Sequence, residues 1–414
     1  MRAHIIGVGA VGTLVAAQIR SVLAAPRTRG LREMIPPASL TLHLRERPFA
    51  RQPLIAPGRR VVVERDGALS VHDGFKVELM TAAGAPRALL PDQSGELHEA
   101  PAASEPIDSI IVATKADATY AALSHLVERI TPETTIVLLQ NGMGVLDMLC
   151  ERLFYNPDTR PHMVLASTTH GCYTKRPLHT VHAGFGSVHL GVVPNARNSA
   201  VHDARSVAAI PDTPELRTLR WTLALLLSLP LDVHWERIRE FQLRALRKLI
   251  INACVNPATA LVDCKNGELY GAAPAAELFR LVCTEASQVL EAHARDAKAS
   301  DSSSQDASRL ASLPLADLLT QTDSDGMPLL DASLRPASMQ REVERIVRAT
   351  AGNWSSMHQD IRTGRVSTEI DYINGYLSDL GRTYGIPTPA NDMLTHLVKL
   401  KSRRVTGSWR DGHM

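Results

Sequence analysis

The segment that most restricts the fold stands near the start of the chain. A short apolar run, Ala3-His4-Ile5-Ile6, leads straight into Gly7-Val8-Gly9-Ala10-Val11-Gly12, and Thr13 to Leu23 then reads as a helix of alanines and leucines. Strand, glycine turn and helix in that order open a dinucleotide-binding unit. The first glycine permits the tight turn, the second lets backbone amides approach a pyrophosphate, and the third lets helix pack on strand. The helix amino terminus then favours the phosphate charge. Because G-x-G-x-x-G alone recurs in many folds, a glycine-rich turn of no consequence is the alternative. The strand before it and the helix after it favour the nucleotide.

At 414 residues the chain exceeds one ordinary core, and usual domain sizes imply about two or three. Forty-five basic against 43 acidic residues leave a net charge of +2. That balance gives no reason to expect nucleic acid or a membrane surface as partner, so the expected ligand is a small molecule. The five cysteines (Cys150, Cys172, Cys254, Cys264, Cys283) form no C-x-x-C and are odd in number, which fits a reducing compartment and not a disulfide framework. The strand pattern begins by Ala3 and leaves no room for a signal or transit peptide ahead of it, so the expected location is cytoplasmic. The longest apolar run, Leu223 to Leu231, is far short of the roughly 20 residues needed to cross a bilayer.

Further along, Leu40 to Leu44 reads as a second strand, after a loop over 26–37 rich in Arg and Pro, and ends at Arg45-Glu46-Arg47. That position decides the cofactor: an acidic residue accepts from a ribose 2′-hydroxyl, whereas an arginine suits a 2′-phosphate. Residues 48–106 alternate strand-like pieces, Arg60 to Glu64 and Phe75 to Met80, with loops. Ile107 to Thr114 is a strand that delivers Lys115 to its carboxyl end, where open α/β sheets bind ligands. Ile136 to Leu139 ends in Gln140-Asn141-Gly142-Met143-Gly144, a turn in which Asn141 either faces the nicotinamide and ribose or caps a helix. Leu165 to His170 and Thr180 to Gly191 are further strands.

The polar, proline-flanked stretch Pro194 to Pro214 is the expected domain boundary. Beyond it the apolar period changes to 3.6, with helices over Glu215 to Leu229, Glu236 to Val255, Ala275 to Ala294, Ser338 to Thr350, Thr368 to Gly385 and Asn391 to Lys401. The expected division is therefore 1–205 for nucleotide binding and 206–414 for an all-α domain. A polar surface insertion over 298–331 holds one short helix at Leu310 to Leu319.

In the second part, Arg247 to Pro257 is apolar nearly all round, so its helix should be buried. Lys248, Asn252 and Asn256 nevertheless fall at four-residue spacing on one face, a polar ridge of about 12 Å. Buried Lys and Asn demand partners. One reading pairs Lys248 with a structural carboxylate and leaves the asparagines to cap neighbouring loops; the other makes the ridge a binding surface. Pro257 removes an amide donor, so the helix is expected to kink there and free polar backbone toward a cleft.

The segment Arg247 to Leu269 resembles the substrate helix of the ketopantoate reductase (2-dehydropantoate 2-reductase) family. Gly7 to Gly12, Gln140 to Gly144, Asn353-Trp354-Ser355-Ser356-Met357 and Thr368 to Gly375 match it in order. The resemblance implies an amino-terminal Rossmann domain, an α/β fold, with a helical carboxyl-terminal domain like that of 6-phosphogluconate dehydrogenase. It implies NADPH-dependent reduction of ketopantoate to (R)-pantoate, a step toward pantothenate and coenzyme A. In that scheme Gly7, Val8, Gly9, Ala10, Val11, Gly12, Arg45, Lys115 and Asn141 hold NADPH. Glu46 beside Arg45 keeps NADH open, and a solvated strand end is the alternative for Arg45. Lys248 is the proton donor, Asn252, Asn256, Asn266 and Ser356 hold the keto acid, and Glu369 serves substrate or cofactor. The enzyme would be a monomer or homodimer.

Local alternatives stand beside these roles. Thr368 with Asp371 makes an imperfect capping box, and Ser356 suits a helix cap. No HExxH, paired C-x-x-C or Gly-x-Ser-x-Gly is present, so no metal site and no hydrolase is expected. The rival functions are another NAD(P)-dependent 2-oxo or 3-hydroxy acid oxidoreductase and a nonenzymatic NADP sensor.

Overall fold

The computed structural model describes residues 1–26, 30–45, 60–80, 86–91, 97–201, 204, 206–301, 318–322, 324, 328–365 and 367–406. Two compact units emerge, one of Met1–Gln140 with Leu146–Ile238, the other of Asn141–Val145 with Arg239–Met414. The first unit therefore extends past the expected boundary at 205. Its elements in chain order are β1 (Arg2–Ile6), α1 (Ala10–Ala24), β2 (Ser39–Arg45), β3 (Val61–Arg65), β4 (Ala68–His72), β5 (Lys76–Met80), β6 (Arg87–Pro91) and β7 (Leu97–Pro101). There follow β8 (Ser109–Val112), α2 (Ala116–Ser124), β9 (Thr135–Leu139), α3 (Val145–Arg152), β10 (His162–Thr168), β11 (Gly171–Arg176), β12 (His179–Gly184), β13 (Val188–Val192), α4 (Arg217–Leu227) and β14 (Val233–Glu236).

Ten strands form one sheet in the order β14-β13-β10-β9-β8-β1-β2-β5-β6-β7. The six from β10 to β5 run parallel. Chain order runs outward from β1 through β2 on one side and from β8 through β10 on the other, the doubly wound topology whose switch point lies between β1 and β8. β8 and β9 are buried at every position, as expected for parallel strands covered on both faces. The boundary moved because α4 and β14 belong to this sheet's layer. Leu219, Leu223 and Leu226 lie in its core, and β14 pairs with β13.

The strand expected over 180–191 divides into β12 and β13, and only β13 joins the main sheet. β11 and β12 join β3 and β4 in a second sheet, ordered β11-β12-β3-β4. Val61 and Val63 of that sheet share the core of α1, where Leu14, Val15, Ala16, Ala17 and Ile19 are all buried. A helix covered on two sides has no polar face to show, which explains the run of apolar residues along α1. Part of the 26–37 loop is ordered as a 3-10 turn over Gly30–Met34.

The second unit is built from α5 (Ile238–Val262), α6 (Ala273–Asp301), β15 (Leu319–Thr322), β16 (Pro328–Leu330), α7 (Pro336–Ala349), α8 (Ser356–Arg362), α9 (Asn374–Tyr384) and α10 (Pro389–Thr406). Among its described residues it is helical apart from the β15–β16 hairpin. That hairpin takes up Leu319, the end of the helix expected over 310–319, and residues 310–317 lie outside the described residues. Leu249, Ile250 and Ala253 of α5 pack with Phe279 and Val282 of α6 and with Val343 of α7 in a second core. The cysteines are free thiols. No helix among the described residues is long and apolar enough to cross a membrane.

Two expectations about this unit need correction. α5 runs through Pro257 to Val262, and the backbone group freed there is not left to a cleft. Proline at 257 leaves the Ala253 carbonyl without its helical donor, and the buried Asn374 side chain donates to that carbonyl at 3.0 Å instead. The single helix expected over 368–385 is split into a 3-10 turn, Glu369–Tyr372, and α9. The Tyr372 carbonyl accepts from the Met143 amide at 2.9 Å, so it is engaged outside its own segment at the break.

Candidate active site

In the first unit the glycine turn has the shape its sequence implies. Gly7 has φ +86, and a Cβ there would stand 2.2 Å from the Thr114 amide nitrogen. A Cβ on Gly12 would stand 2.2 Å from the Gly7 carbonyl oxygen. Gly9, by contrast, faces open space with nothing within 4 Å. Two glycines are thus consumed by packing, and the middle one leaves room for a ligand against the backbone. Gly9 is the N-cap of α1, with no side-chain cap and no acidic residue in the first turn, so the amino terminus offers its amides and its dipole to an anion.

Arg45 is the exposed last residue of β2, and Lys115 is the N-cap of α2 just past β8. With Val8, Ala10 and Val11 of the turn after β1, they occupy the carboxyl ends of three neighbouring parallel strands, at the switch point where such sheets take nucleotides. Glu46 and Arg47 lie outside the described residues.

One further polar group stands in this unit. His4, His43 and Glu78 bring their ligand atoms within 4.8 Å of one another. They are engaged with each other and with a cation: His4 Nδ1 and His43 Nε2 share a hydrogen bond at 2.8 Å, and Arg129 donates to Glu78 at 2.8 Å. Burial holds both imidazoles neutral, with His4 lowered to about 2 and His43 to about 3. The three residues lie on the neighbouring strands β1, β2 and β5 and form a buried polar cluster within the sheet.

In the second unit the ridge on α5 meets the segment after Thr368. Glu369 is buried and lies close enough to Lys248 to stabilise its charge. Burial nevertheless dominates and lowers the Lys248 ammonium to about 8, with Glu369 opposing the shift. Asn141 donates from Nδ2 to Glu369 Oε2 at 3.3 Å, so its side chain is directed at the same carboxylate. The turn that carries Asn141 is seated on the Glu369 segment. A Cβ on Gly142 (φ +87) would stand 2.6 Å from that of Tyr372, which explains the glycine.

Asn252 and Asn256 continue the ridge, Asn256 buried and Asn252 partly exposed. Asn266 sits in a 3-10 turn, donating from its amide to the Asn353 carbonyl at 3.0 Å and from Nδ2 to Thr350 at 2.9 Å. Its buried Oδ1 has no partner among the described residues.

The capping alternatives resolve unevenly. Ser355, not Ser356, is the N-cap of α8, accepting from the His358 amide at 3.1 Å. Ser356 is exposed at the first helical position, so its hydroxyl is not consumed by the cap. Thr368 does cap its turn, accepting from the Ile370 amide at 3.4 Å. Asp371 points to the surface and pairs with Lys399.

Sequence reading passed over Ser355, and also over Asn374, whose contact with Ala253 is described above. The signal for Asn374 was a proline inside a buried helix, which obliges something to donate to the carbonyl four residues earlier. Chemically, a lysine with its proton affinity brought near neutrality beside a buried carboxylate is equipped to hand a proton to a developing alkoxide.

Two family models match the chain, ketopantoate reductase PanE/ApbA over residues 71–195 and the PanE/ApbA C-terminal part over residues 240–402. The probable 2-dehydropantoate 2-reductase of Schizosaccharomyces pombe is 29% identical over 297 residues, 71% of this chain and 73% of that protein. The 2-dehydropantoate 2-reductase of Saccharomyces cerevisiae is 28% identical over 323 residues, 74% of this chain and 78% of that protein. Among solved structures, a ketopantoate reductase from Ralstonia eutropha superposes with TM-score 0.61 at 19% identity, covering 98% of this chain and 99% of that one. D-mandelate dehydrogenase with NADH and anilino(oxo)acetate superposes with TM-score 0.64 at 18% identity, over 98% of this chain and 99% of that one. These two show a shared fold. With both family models matched in order and the relatives aligned through both units, the chain belongs to the ketopantoate reductase family.

Proposed function

We propose that this oxidoreductase reduces 2-dehydropantoate to (R)-pantoate with NADPH, in the route to pantothenate and coenzyme A. The observation that carries the reading is the Lys248–Glu369 pair on the α5 ridge, with Asn252 and Asn256 beside it. A small 2-oxo acid with a terminal hydroxyl asks for these groups: a cationic acid for the ketone oxygen, amides for the carboxylate, and an acceptor for the hydroxyl.

The glycine turn, Arg45, Lys115 and Asn141 would hold the dinucleotide, with Arg45 on the 2′-phosphate. When bound, the nicotinamide supplies the hydride. Lys248 donates a proton to the ketone oxygen as charge develops there, and Glu369 favours the protonated lysine before the step. Asn252, Asn256, Asn266 and Ser356 orient the acid through its carboxylate and hydroxyl. Glu369 also accepts from the substrate hydroxyl, and a site built for a hydroxyl rejects analogues lacking it because its own polar groups are left unpaired.

The test is dinucleotide oxidation followed with ketopantoate, 2-ketoisovalerate, pyruvate and an aryl 2-oxo acid, each with NADPH and with NADH. Ketopantoate with NADPH should give the highest kcat/KM. A preference for the aryl acid or for NADH would transfer the chain to another 2-oxo acid reductase on the same fold.

A further inference from the structure

A chain of buried side chains runs through the second unit from α6 to α5. Glu285 of α6 accepts from the amides of Ala390 and Asn391 at 2.8 and 3.1 Å, and from Asn391 Nδ2 at 2.7 Å. An ionised carboxylate only accepts, so the Asn391 amide group must turn its NH₂ toward Glu285 and its oxygen away. That oxygen accepts from Asn374 Nδ2 at 3.0 Å. The Asn374 amide is thereby oriented too: its other N–H reaches the Ala253 carbonyl, at 3.0 Å. Asn374 and Asn391 are both fully buried. The orientation of Asn374 is thus imposed from α6, and the carbonyl it reaches is the one that Pro257 leaves without a helical donor.

The place of this contact matters. Ala253 follows Asn252 in α5, and Asn374 is the first residue of α9, directly after the turn Glu369–Tyr372 and its C-cap Ile373. We propose that Asn374 is a positioning residue, which uses the donor deficit created by Pro257 to fix the Glu369 segment against α5 and so sets Glu369 relative to Lys248 and Asn252. An ordinary helix in place of Pro257 would close the Ala253 carbonyl on itself and leave that carbonyl less available as an anchor. The role deepens the reductase reading and depends on it for what is being positioned.

The test is a double-variant cycle of Asn374→Ala and Pro257→Ala in the full chain, reading melting temperature and steady-state kinetics with the dinucleotide and 2-oxo acid that the wild type uses best. Asn374→Ala leaves the Ala253 carbonyl and the Asn391 amide oxygen both unpaired and should lower the melting temperature by about 2–6 °C. Pro257→Ala restores a backbone N–H for the Ala253 carbonyl only, so in the double variant the share of the loss due to that carbonyl, about half, should return. Activity should not return with it, because the tether between α5 and the Glu369 segment is still missing. We expect kcat/KM for the acid to fall on the order of 10²-fold in both backgrounds, with the KM for the dinucleotide little changed.

Recovery of activity together with stability would reduce Asn374 to a structural plug and overturn the inference, as would wild-type kinetics in Asn374→Ala. If Asn374→Ala does not fold alone, the comparison is made between the double variant and Pro257→Ala. A wild type that reduces none of the acids would sink the reductase reading by itself, while the melting cycle would still decide whether Asn374 serves the Ala253 carbonyl. An Asn374→Ala loss of stability that Pro257→Ala does not relieve would overturn that link.

Discussion

In the first unit the proposed binding groups are mostly backbone, while in the second they are side chains. Gly7, Gly9 and Gly12 matter for what they lack: two are excluded from carrying a Cβ by neighbours at 2.2 Å, and the third leaves a surface open. In the second unit Lys248, Glu369 and Asn141 matter for what they carry, and their properties come from surroundings. The lysine is lowered to about 8 by burial, and the carboxylate is met by an asparagine 228 positions away in the chain. A backbone cradle is specified locally by a few residues. A tuned side chain requires the whole unit to be folded around it, so its failure should appear in turnover and pH dependence before it appears in folding.

The largest expected effect tests the side-chain half of that contrast. Lys248→Ala should lower turnover on the order of 10²–10⁴-fold, the range for loss of a general acid and electrostatic stabiliser. Dinucleotide affinity, read by titration of nicotinamide fluorescence, should stay close to wild type. Near-normal turnover in a folded Lys248→Ala protein would remove Lys248 from the mechanism.

Glycine substitutions separate packing from ligand contact in the other half. Gly7→Ala combines an unfavourable positive φ with a backbone clash and should destabilise by about 2–4 kcal/mol, visible in urea unfolding. Gly9→Ala has open space and a negative φ (−82), so the fold should stand while dinucleotide binding weakens. Equal stability of the two variants would contradict the division of labour drawn between these glycines.

Arg45→Ala should act only where the two dinucleotides differ. Removing a charge-assisted contact worth about 1.5–3 kcal/mol should weaken NADPH roughly 10- to 100-fold and NADH little. Equal loss for both would return Arg45 to the solvated strand end that its exposure also allows.

The same contrast governs what could be read from the sequence. The glycine turn was legible because strand, turn and helix are contiguous, and the α5 ridge because i, i+4 spacing is a property of one helix. The second sheet was not, since it is closed by β3 pairing with β12, far away in the chain (Val62 opposite His179), and alternation within a short strand does not say which sheet it joins. The end of the first unit was misplaced for a related reason. α4 has the same 3.6 period as the helices of the second unit, and only its partners assign it to the first core. Ser355 and Ser356 are adjacent hydroxyls before a helix, and the choice between them depends on backbone angles that sequence does not carry. At Pro257 the sequence correctly marked a lost hydrogen bond but could not name its replacement, because Asn374 lies 121 positions from Ala253, whose carbonyl it serves.

The smallest expected effect is the sharpest probe of tuning by surroundings. If Lys248 acts as the acid, kcat/KM requires its protonated form and should decline as pH rises through about 8. Glu369 raises the lysine's proton affinity against the larger effect of burial, so neutralising it in Glu369→Gln should move the alkaline limb down, by about one pH unit, and not up. At pH 8 the variant should then be roughly fivefold slower from protonation alone, approaching about tenfold at higher pH, while at pH 6 that part of the loss should vanish because both proteins carry a charged lysine. Any loss that persists at pH 6 reports contact with the substrate hydroxyl and should be smaller for 2-ketoisovalerate, which lacks it. Should the alkaline limb stay near 8 in Glu369→Gln, the carboxylate would not be tuning the lysine, and its role would be confined to holding the substrate and the Asn141 turn.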